Sequence, residues 1–176
     1  WNRRATVSVT RSSLGEVRLG RDFTPTYTGY ADYDPFGDNG VGASSKFDSS
    51  LGTARDTGTR ADNQVTYLTP GNLGGLYARL SVAAGEGTVG KKYVGGRLGY
   101  AAGPLDVSAA YAQTDVAAVA GEDKFKTTDL GAAYDFGIAK ALFYYRQSKI
   151  ANNKLGVYGR GALVPVGAAG QLRLGY

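Results

Sequence analysis

The sequence predicts an all-β protein whose strands run up and down in one antiparallel barrel, and three observations lead to this fold class. Apolar and polar residues alternate with a period of two in about ten separate stretches. No run approaches the ~18 apolar residues that a membrane-spanning helix needs. Short and longer polar connections alternate between the stretches, as expected of a meander with tight turns at one end and loops at the other.

The first two strands are followed by a segment of a different character. Residues 4–10 alternate with Ala5 and Val7 on one face, and residues 16–19 continue the pattern after a turn. Residues 24–59 are rich in Gly, Asp, Ser and Thr and show no period. This segment therefore predicts a loop far longer than most connections, and loops of that length are usually functional.

The remaining strands share the same alternation of apolar and polar residues. We predict them at residues 60–67, 76–84, 93–102, 105–113, 127–136, 139–147, 155–166 and 171–176. The longer connections between them are expected at residues 85–92, 114–125 and 148–154.

The two faces of these strands differ in a way that bears on their surroundings. A soluble, lipocalin-like ligand-binding barrel also alternates, so the period alone does not separate inside from outside. Three features favour a transmembrane barrel with its apolar face outward. The apolar face is rich in Ala and Gly, the polar face mixes charges of both signs, and aromatic residues gather near the strand ends, at Tyr67, Tyr100, Tyr111, Tyr134, Phe136 and Tyr145.

The composition excludes several classes of function. The chain contains no Cys and no His, which excludes disulfides, Ser-His-Asp and Cys-His nucleophiles and zinc sites. We therefore predict no enzyme, no cofactor and no metal. The net charge of +5 is scattered singly along the strands, so nucleic acid is not an expected partner.

The ends of the chain indicate a piece of a longer protein. The sequence contains no Met and begins at Trp1, in what reads as the middle of a strand. We expect residues 1–176 to form one incomplete barrel domain.

Several stretches resemble the general porins of Gram-negative bacteria, of the type found in β-proteobacteria. They cover essentially the whole chain and include "GEVRLGRDFTPTY", "DPFGDNGVG", "DNQVTYLTPGNLGGLYARLSVAAGEG", "GRLGYAAGPLDVSAAYAQT" and "LVPVGAAGQLRLGY". The resemblance implies a 16-stranded barrel of the outer membrane, of which this chain holds roughly the fourth to the thirteenth strand. It also implies a homotrimer in contact with membrane lipid and lipopolysaccharide.

The resemblance also implies a role for residues 24–59. In such porins the third loop folds into the lumen, where its acidic residues face arginines on the wall. "DPFG" stands where enterobacterial porins have Pro-Glu-Phe-Gly, so that Pro35 occupies the usual glutamate position. Asp32, Asp34 and Asp38 are then rival candidates for the acidic side of the constriction.

Arginines are expected on the opposite side. Arg4 and Arg60 match the family's constriction arginines, and Arg79 and Arg97 are expected to line the lumen. Arg21 matches an arginine near the subunit interface. The Asp residues also fit the start of a calcium loop, D-x-D-x-x-G, but the twelfth position is Ala43 rather than the Glu that an EF-hand requires.

The function implied is passive diffusion of small hydrophilic solutes and ions, with a substrate-specific porin as an alternative. Cations outnumber anions on the polar face, which predicts a mild anion preference. The cations assigned to this face are Arg4, Arg18, Arg60, Arg79, Arg97, Lys140, Arg146 and Arg160, and the anions are Glu16, Asp62, Asp106, Asp129 and Asp135.

Overall fold

The computed structural model describes residues 3–176 and contains one antiparallel sheet of ten strands in the order of the sequence. The strands are β1 (Ala5–Arg11), β2 (Gly15–Phe23), β3 (Arg60–Leu68), β4 (Leu76–Ala83), β5 (Tyr93–Ala102), β6 (Leu105–Val119), β7 (Glu122–Asp135), β8 (Lys140–Ile150), β9 (Asn153–Val166) and β10 (Gly170–Gly175). The predicted meander is thus confirmed. Strands β1 and β10 are the two ends of the strand order, so the sheet is an open part of a barrel.

Two of the predicted longer loops are wrong. Strands β6 and β7 continue through residues 114–125 and are joined by Ala120 and Gly121, both at positive φ, as a tight hairpin turn requires. Strands β8 and β9 likewise approach each other across residues 148–154. The strands extend because Phe125 and Ile150 are fully buried beneath the long loop, a tertiary contact that the local sequence pattern does not reveal.

The long loop, residues 24–59, lies against one face of the sheet, which we call the inner face. The loop begins with a short helix, α1 (Pro25–Ala31), and contains a 3₁₀ helix at Ser44–Phe47. Helix α1 was not predicted, although Thr24 followed by Pro25 is a favourable cap and first helical residue. The loop packs over strands β4 to β8 through α1.

The inner face is polar, and the outer face is apolar. Thr66, Asp129 and Arg146 are buried under the loop on the inner face. On the outer face, Val9 is 77% exposed and Leu98 is 61% exposed. A soluble barrel would have the opposite polarity, because so wide an apolar surface is unfavourable in water. The sequence-based prediction of an apolar outward face is therefore confirmed.

Tyrosines mark one boundary of the apolar outer face. The hydroxyl of Tyr111 accepts a hydrogen bond from Gln113 Nε2 at 2.8 Å, and Tyr145 accepts from Gln147 Nε2 at the same distance. Both hydroxyls therefore point toward the polar ends of their strands, on the side of the long loop. This orientation is that of aromatic residues at a membrane–water interface.

Among residues 3–176, no helix has the length and apolar character needed to cross a membrane.

Candidate constriction of a channel lumen

Helix α1 approaches the wall closely because it carries a glycine at the point of contact. A Cβ atom on Gly29 would lie 2.9 Å from the Cβ of Ala110. The hydroxyl groups of Thr26 and Tyr93 lie 3.2 Å apart, which joins the helix to β5. A larger residue than glycine would lift the helix from the sheet.

Two wall arginines fix the backbone of α1. Arg146 donates from Nη2 to the carbonyl of Thr26 at 2.7 Å, and Arg97 donates from Nη1 to the carbonyl of Thr28 at 2.9 Å. Arg146 also lies 3.8 Å above the ring of Tyr30. Its charge is balanced by Asp129 of β7, which accepts from Arg146 Nε at 2.6 Å. Buried guanidinium groups need such partners, since an unpaired buried charge is strongly destabilising.

The returning limb of the loop binds the same part of the wall. Asp48 lies 3.2 Å from Arg146 Nη1 and also pairs with Arg55 of the loop. Arg55 in turn donates to Thr127 Oγ1 at 3.2 Å. The loop is therefore attached to the inner face along both of its limbs.

The three candidate aspartates occupy different environments. Asp32 projects from the loop with 53% of its side chain exposed and pairs with Arg97. Asp34 is buried, and its carboxylate accepts hydrogen bonds from the backbone N–H groups of Phe36, Asp38 and Ser44. Asp34 thus organises the loop tip rather than facing solvent.

Asp38 is engaged by a tyrosine of α1. Its Oδ2 accepts a hydrogen bond from the Tyr27 hydroxyl at 2.8 Å, and its Oδ1 accepts from the backbone N–H of Ser45. Burial, together with the nearby Asp38 carboxylate, raises the pKa of Tyr27 to about 12. Tyr27 therefore keeps its proton and remains a donor to Asp38 at physiological pH.

On the wall, three arginines converge on a single carboxylate at the base of the loop. Asp22 is 1% exposed. Its oxygens lie 2.7 Å from Arg4 Nε, 2.7 Å from Arg18 Nη1 and 3.2 Å from Arg79 Nη2. We call Arg4, Arg18, Arg79 and Asp22 the basic cluster. Glu16 also pairs with Arg18, at 2.8 Å. The three arginines keep a net positive charge, because the two carboxylates neutralise only two of the three guanidinium groups.

Arg60 lies beside this cluster, over an aromatic ring. Its guanidinium carbon is 4.3 Å from the centre of the Phe23 ring. Asn63, at a φ of 51°, interrupts strand β3, and both Ala61 and Gln64 are buried. The alternation that was used to assign Arg60 to the polar face therefore does not extend across this irregularity. The position of Arg60 is set instead by its contact with Phe23, where the long loop begins.

Arg21 is on the outer face. It pairs with Asp62 through a contact of 2.5 Å, and both side chains are partly exposed. Its neighbour across the β1–β2 ladder, Ala5, is also exposed.

Arg79 and Arg97 are register partners on β4 and β5, and both line a small cavity on the inner face. The cavity has a volume of about 230 Å³, and its lining includes Asp32 and Tyr77. Arg97 is held by Ser108 and by the hydroxyl of Tyr77, at 3.0 and 3.1 Å. A negatively charged solute group near this cavity would meet two fixed cations and one carboxylate.

The sequence-predicted residues are thus brought together only in part. Arg4 and Arg79 share Asp22, and Arg97 pairs with Asp32. Within residues 3–176, none of the three candidate aspartates forms an ion pair with Arg4 or Arg60.

Comparison with known proteins gives the family. The family described as Gram-negative porin matches residues 1–176. The chain belongs to the Gram-negative porin family. This porin chain is 39% identical, over 191 aligned residues, to outer membrane porin protein 32 of Delftia acidovorans. That match covers 100% of this chain and 53% of the relative, so the chain spans about half the length of the relative.

Solved porin structures agree with this fold. The anion-selective porin from Comamonas acidovorans superimposes with a TM-score of 0.88 at 37% identity, over 99% of this chain and 56% of that one. OmpT of Vibrio cholerae, in a trimer form, superimposes with a TM-score of 0.69 at 18% identity, over 99% of this chain and 57% of that one. The second match supports the fold alone.

Four charged residues were not named from sequence as parts of the site, although two of them, Asp129 and Arg146, were assigned to the polar face. The four are Asp22, Asp48, Asp129 and Arg146. Asp48 of the loop pairs with Arg146 of the wall, whereas Asp22 and Asp129 pair with arginines of the wall itself. Asp129 and Arg146 share a register pair between β7 and β8, so correct pairing of those strands would have revealed them. Asp48 gives no such signal, because its contacts depend on the path of the loop.

Proposed function

We propose that the parent protein forms a water-filled channel through the bacterial outer membrane for passive diffusion of small hydrophilic solutes and ions, with a mild anion preference. The observation that carries this proposal is the polar inner face with its basic cluster, set behind an apolar outer face. The outer-membrane location is supported by the family match. Family and fold point to a channel rather than an enzyme, and the proposed function needs no cofactor.

A transverse electric field is the proposed basis of selectivity. The basic cluster supplies fixed positive charge on the wall, and Asp32 is the best candidate for the opposing acid because its side chain is exposed. Asp34 is a less suitable candidate, since its carboxylate is occupied by backbone N–H groups. Polar solutes would orient their dipoles in this field during passage.

The anion preference follows from the excess of cations on the inner face, although two assignments change. Arg160 pairs in register with Phe143 and Asp62 pairs with Arg21, which indicates that both lie on the outer side. Asp22 joins the inner anions. The solved relative described as an anion-selective porin supports the same preference.

The proposed partners follow from the outer face. An oligomer is supported by the trimer form of OmpT, and we propose a homotrimer in which the Arg21–Asp62 pair lies near the subunit interface. The exposed apolar residues would contact membrane lipid. The polar ends of the strands beyond Tyr111 and Tyr145 would contact lipopolysaccharide. Small hydrophilic solutes and ions are the proposed cargo, and nucleic acid is not a proposed partner.

The experiment is the reversal potential of the full-length parent in a planar bilayer under a salt gradient. We expect anion selectivity, and we expect Arg79→Gln to reduce it because this change removes a fixed inner cation. Arg160→Gln is the matched control, since this substitution removes the same positive charge from the outer side of the sheet. Cation selectivity of the parent, or equal shifts in the two variants, would contradict the proposal.

A further inference from the structure

The long loop carries the one asparagine–glycine pair of the sequence, at Asn39 and Gly40. Asparagine is among the chemically labile residues of proteins. It is most labile before glycine, because the missing Cβ leaves the backbone nitrogen of the glycine unhindered. The pair lies at the tip of the loop, directly after Asp38, which is held by Tyr27.

The structure leaves this pair open to reaction. Asn39 and Gly40 are both exposed, and no atom of a more distant residue lies within 4 Å of the position that a Cβ on Gly40 would take. Within the described residues, the backbone N–H of Gly40 donates no hydrogen bond. The side chain of Asn39 is folded back along the main chain, where its Nδ2 donates to the carbonyl of Gly37 at 2.7 Å. Both reacting groups are therefore accessible to water.

The reaction expected of such a pair is deamidation. The backbone nitrogen of Gly40 bonds to the side-chain Cγ of Asn39 and loses its proton, and the side-chain nitrogen leaves as ammonia. Water then opens the five-membered succinimide. Attack at Cγ gives aspartate, and attack at the main-chain carbonyl carbon gives isoaspartate. One water is consumed and one ammonia is released without any change of oxidation state, so that water is the sole co-reactant.

A basic side chain of the wall faces the same loop tip. Arg173 lies between Leu172 and Leu174, which are about half exposed on the outer face, so strand alternation places Arg173 on the inner face. A Cβ on Gly37 would lie 3.6 Å from Arg173 Nη1 and 3.8 Å from Asn39 Nδ2. Within the described residues, Arg173 forms no ion pair. A carboxylate at position 39 would therefore lie near a guanidinium group that the described chain does not neutralise.

We propose that Asn39 is a site of spontaneous deamidation, and that the new carboxylate, near Arg173, lowers the anion preference of the channel as the protein ages. The chemical change is independent of the proposed function, whereas its effect on selectivity rests on that function. A carboxylate added at the loop tip offsets one fixed inner cation, in a lumen where the excess of positive charge sets the preference.

The first experiment follows deamidation in the full-length parent, kept in detergent at mildly alkaline pH in heavy-oxygen water. Peptide mapping by mass spectrometry measures the change at each asparagine, and chromatography separates aspartate from isoaspartate. Asn72 is the internal control, because it is also exposed but is followed by Leu73. We expect Asn39 to react at least about tenfold faster than Asn72, because only Asn39 precedes a residue without a Cβ. Each product should carry one heavy oxygen from water. Equal rates at the two asparagines would overturn the inference.

The second experiment measures the reversal potential of full-length variants in a planar bilayer. Asn39→Asp carries the charge of the product from the start, and Asn39→Gln keeps an uncharged amide. We expect a weaker anion preference in Asn39→Asp and the preference of the parent in Asn39→Gln. Arg173→Gln should weaken the preference about as much as Asn39→Asp, because each change lowers the net charge at the loop tip by the same amount.

Incubation links the two experiments. The parent should drift toward the selectivity of Asn39→Asp as its deamidated fraction grows, and Asn39→Gln should stay constant over the same time. An unchanged preference in Asn39→Asp, or an equal drift in Asn39→Gln, would overturn the effect on selectivity. A parent that conducts no ions or prefers cations would refute the proposed function, whereas peptide mapping alone decides whether Asn39 is the modified residue.

Discussion

At the scale of single residues, the basic cluster depends on Asp22. This carboxylate is almost fully buried and contacts Arg4, Arg18 and Arg79. A buried carboxylate needs a counter-charge, and the three guanidinium groups supply it. The same carboxylate holds the arginines in fixed positions on the wall, where a field requires fixed charge.

Asp22→Asn tests this role. We expect the variant to lose about 3 kcal/mol in its free energy of unfolding, because Arg4 and Arg79 lose their counter-charge and only Arg18 keeps one, in Glu16. We also expect a stronger anion preference, because one inner anion is removed. Denaturant unfolding in detergent and the reversal potential measure the two effects on the full-length parent.

Asp62→Asn is the matched control for Asp22→Asn. Asp62 pairs with Arg21 on the outer side, where both groups are partly exposed, and such pairs contribute about 0–1 kcal/mol. Its selectivity should equal that of the parent. The role of Asp22 is refuted if the two substitutions have equal effects or if Asp22→Asn shifts selectivity toward cations.

At the scale of elements, glycines on the inner face leave the space into which the loop packs. A Cβ on Gly131 would lie 2.0 Å from the Tyr33 ring, and one on Gly161 would lie 2.6 Å from Pro35. Tyr33 passes over Gly131 to donate to Asp106 at 2.9 Å. The abundance of glycine in these strands, unfavourable for strands in isolation, is thus explained by the loop packing against them.

Gly131→Ala should displace Tyr33 and with it the first limb of the loop. We expect destabilisation of about 1–3 kcal/mol from overpacking, and larger fluctuations of the open-channel current. Thermal unfolding and single-channel recording measure these effects.

Gly156→Ala is the control for Gly131→Ala, because its nearest contact is the flexible hydroxyl end of Tyr145, at 3.2 Å. It should behave like the parent. If Gly131→Ala had the stability and the current of the parent, the position of the loop would not depend on the packing of Tyr33 over Gly131.

At the scale of the whole molecule, the alternation of apolar and polar residues predicted ten strands, and the alternating lengths of their connections predicted the meander. The apolar outer face was predicted from other features, which are the small residues of that face, the mixed charges of the opposite face and the aromatic residues near the strand ends. Turns with strong signals, such as Ala102–Gly103–Pro104, were found, whereas the extensions of β6 to β9 were not. Those extensions depend on Phe125 and Ile150 packing beneath the loop, and such contacts between distant segments leave no local period.

In the candidate site, too, residues on strands could be placed from the local pattern, whereas residues of the loop could not. Strand alternation assigned Arg4, Arg79 and Arg97 to the polar face, and the structure places them on the inner side of the sheet. Their role in the constriction and in lining the lumen stays a prediction. The partners of the three aspartates could not be derived, because a loop without a period carries no information about its path. The structure separates them by environment, with Asp32 exposed and Asp34 enclosed by backbone N–H groups.

In the proposed channel, the polar face lines water and the apolar face meets lipid. Because this chain has no cysteine, single cysteines can report on each face once any others in the full-length parent are replaced. Ser8 and Val9 are consecutive residues on opposite faces of β1, so we choose Ser8→Cys and Val9→Cys. In lipid bilayers, a membrane-impermeant, charged thiol reagent should modify Ser8→Cys and change the channel conductance, and it should leave Val9→Cys unmodified. Modification of Val9→Cys with Ser8→Cys protected would contradict a water-lined polar face and a lipid-facing apolar face.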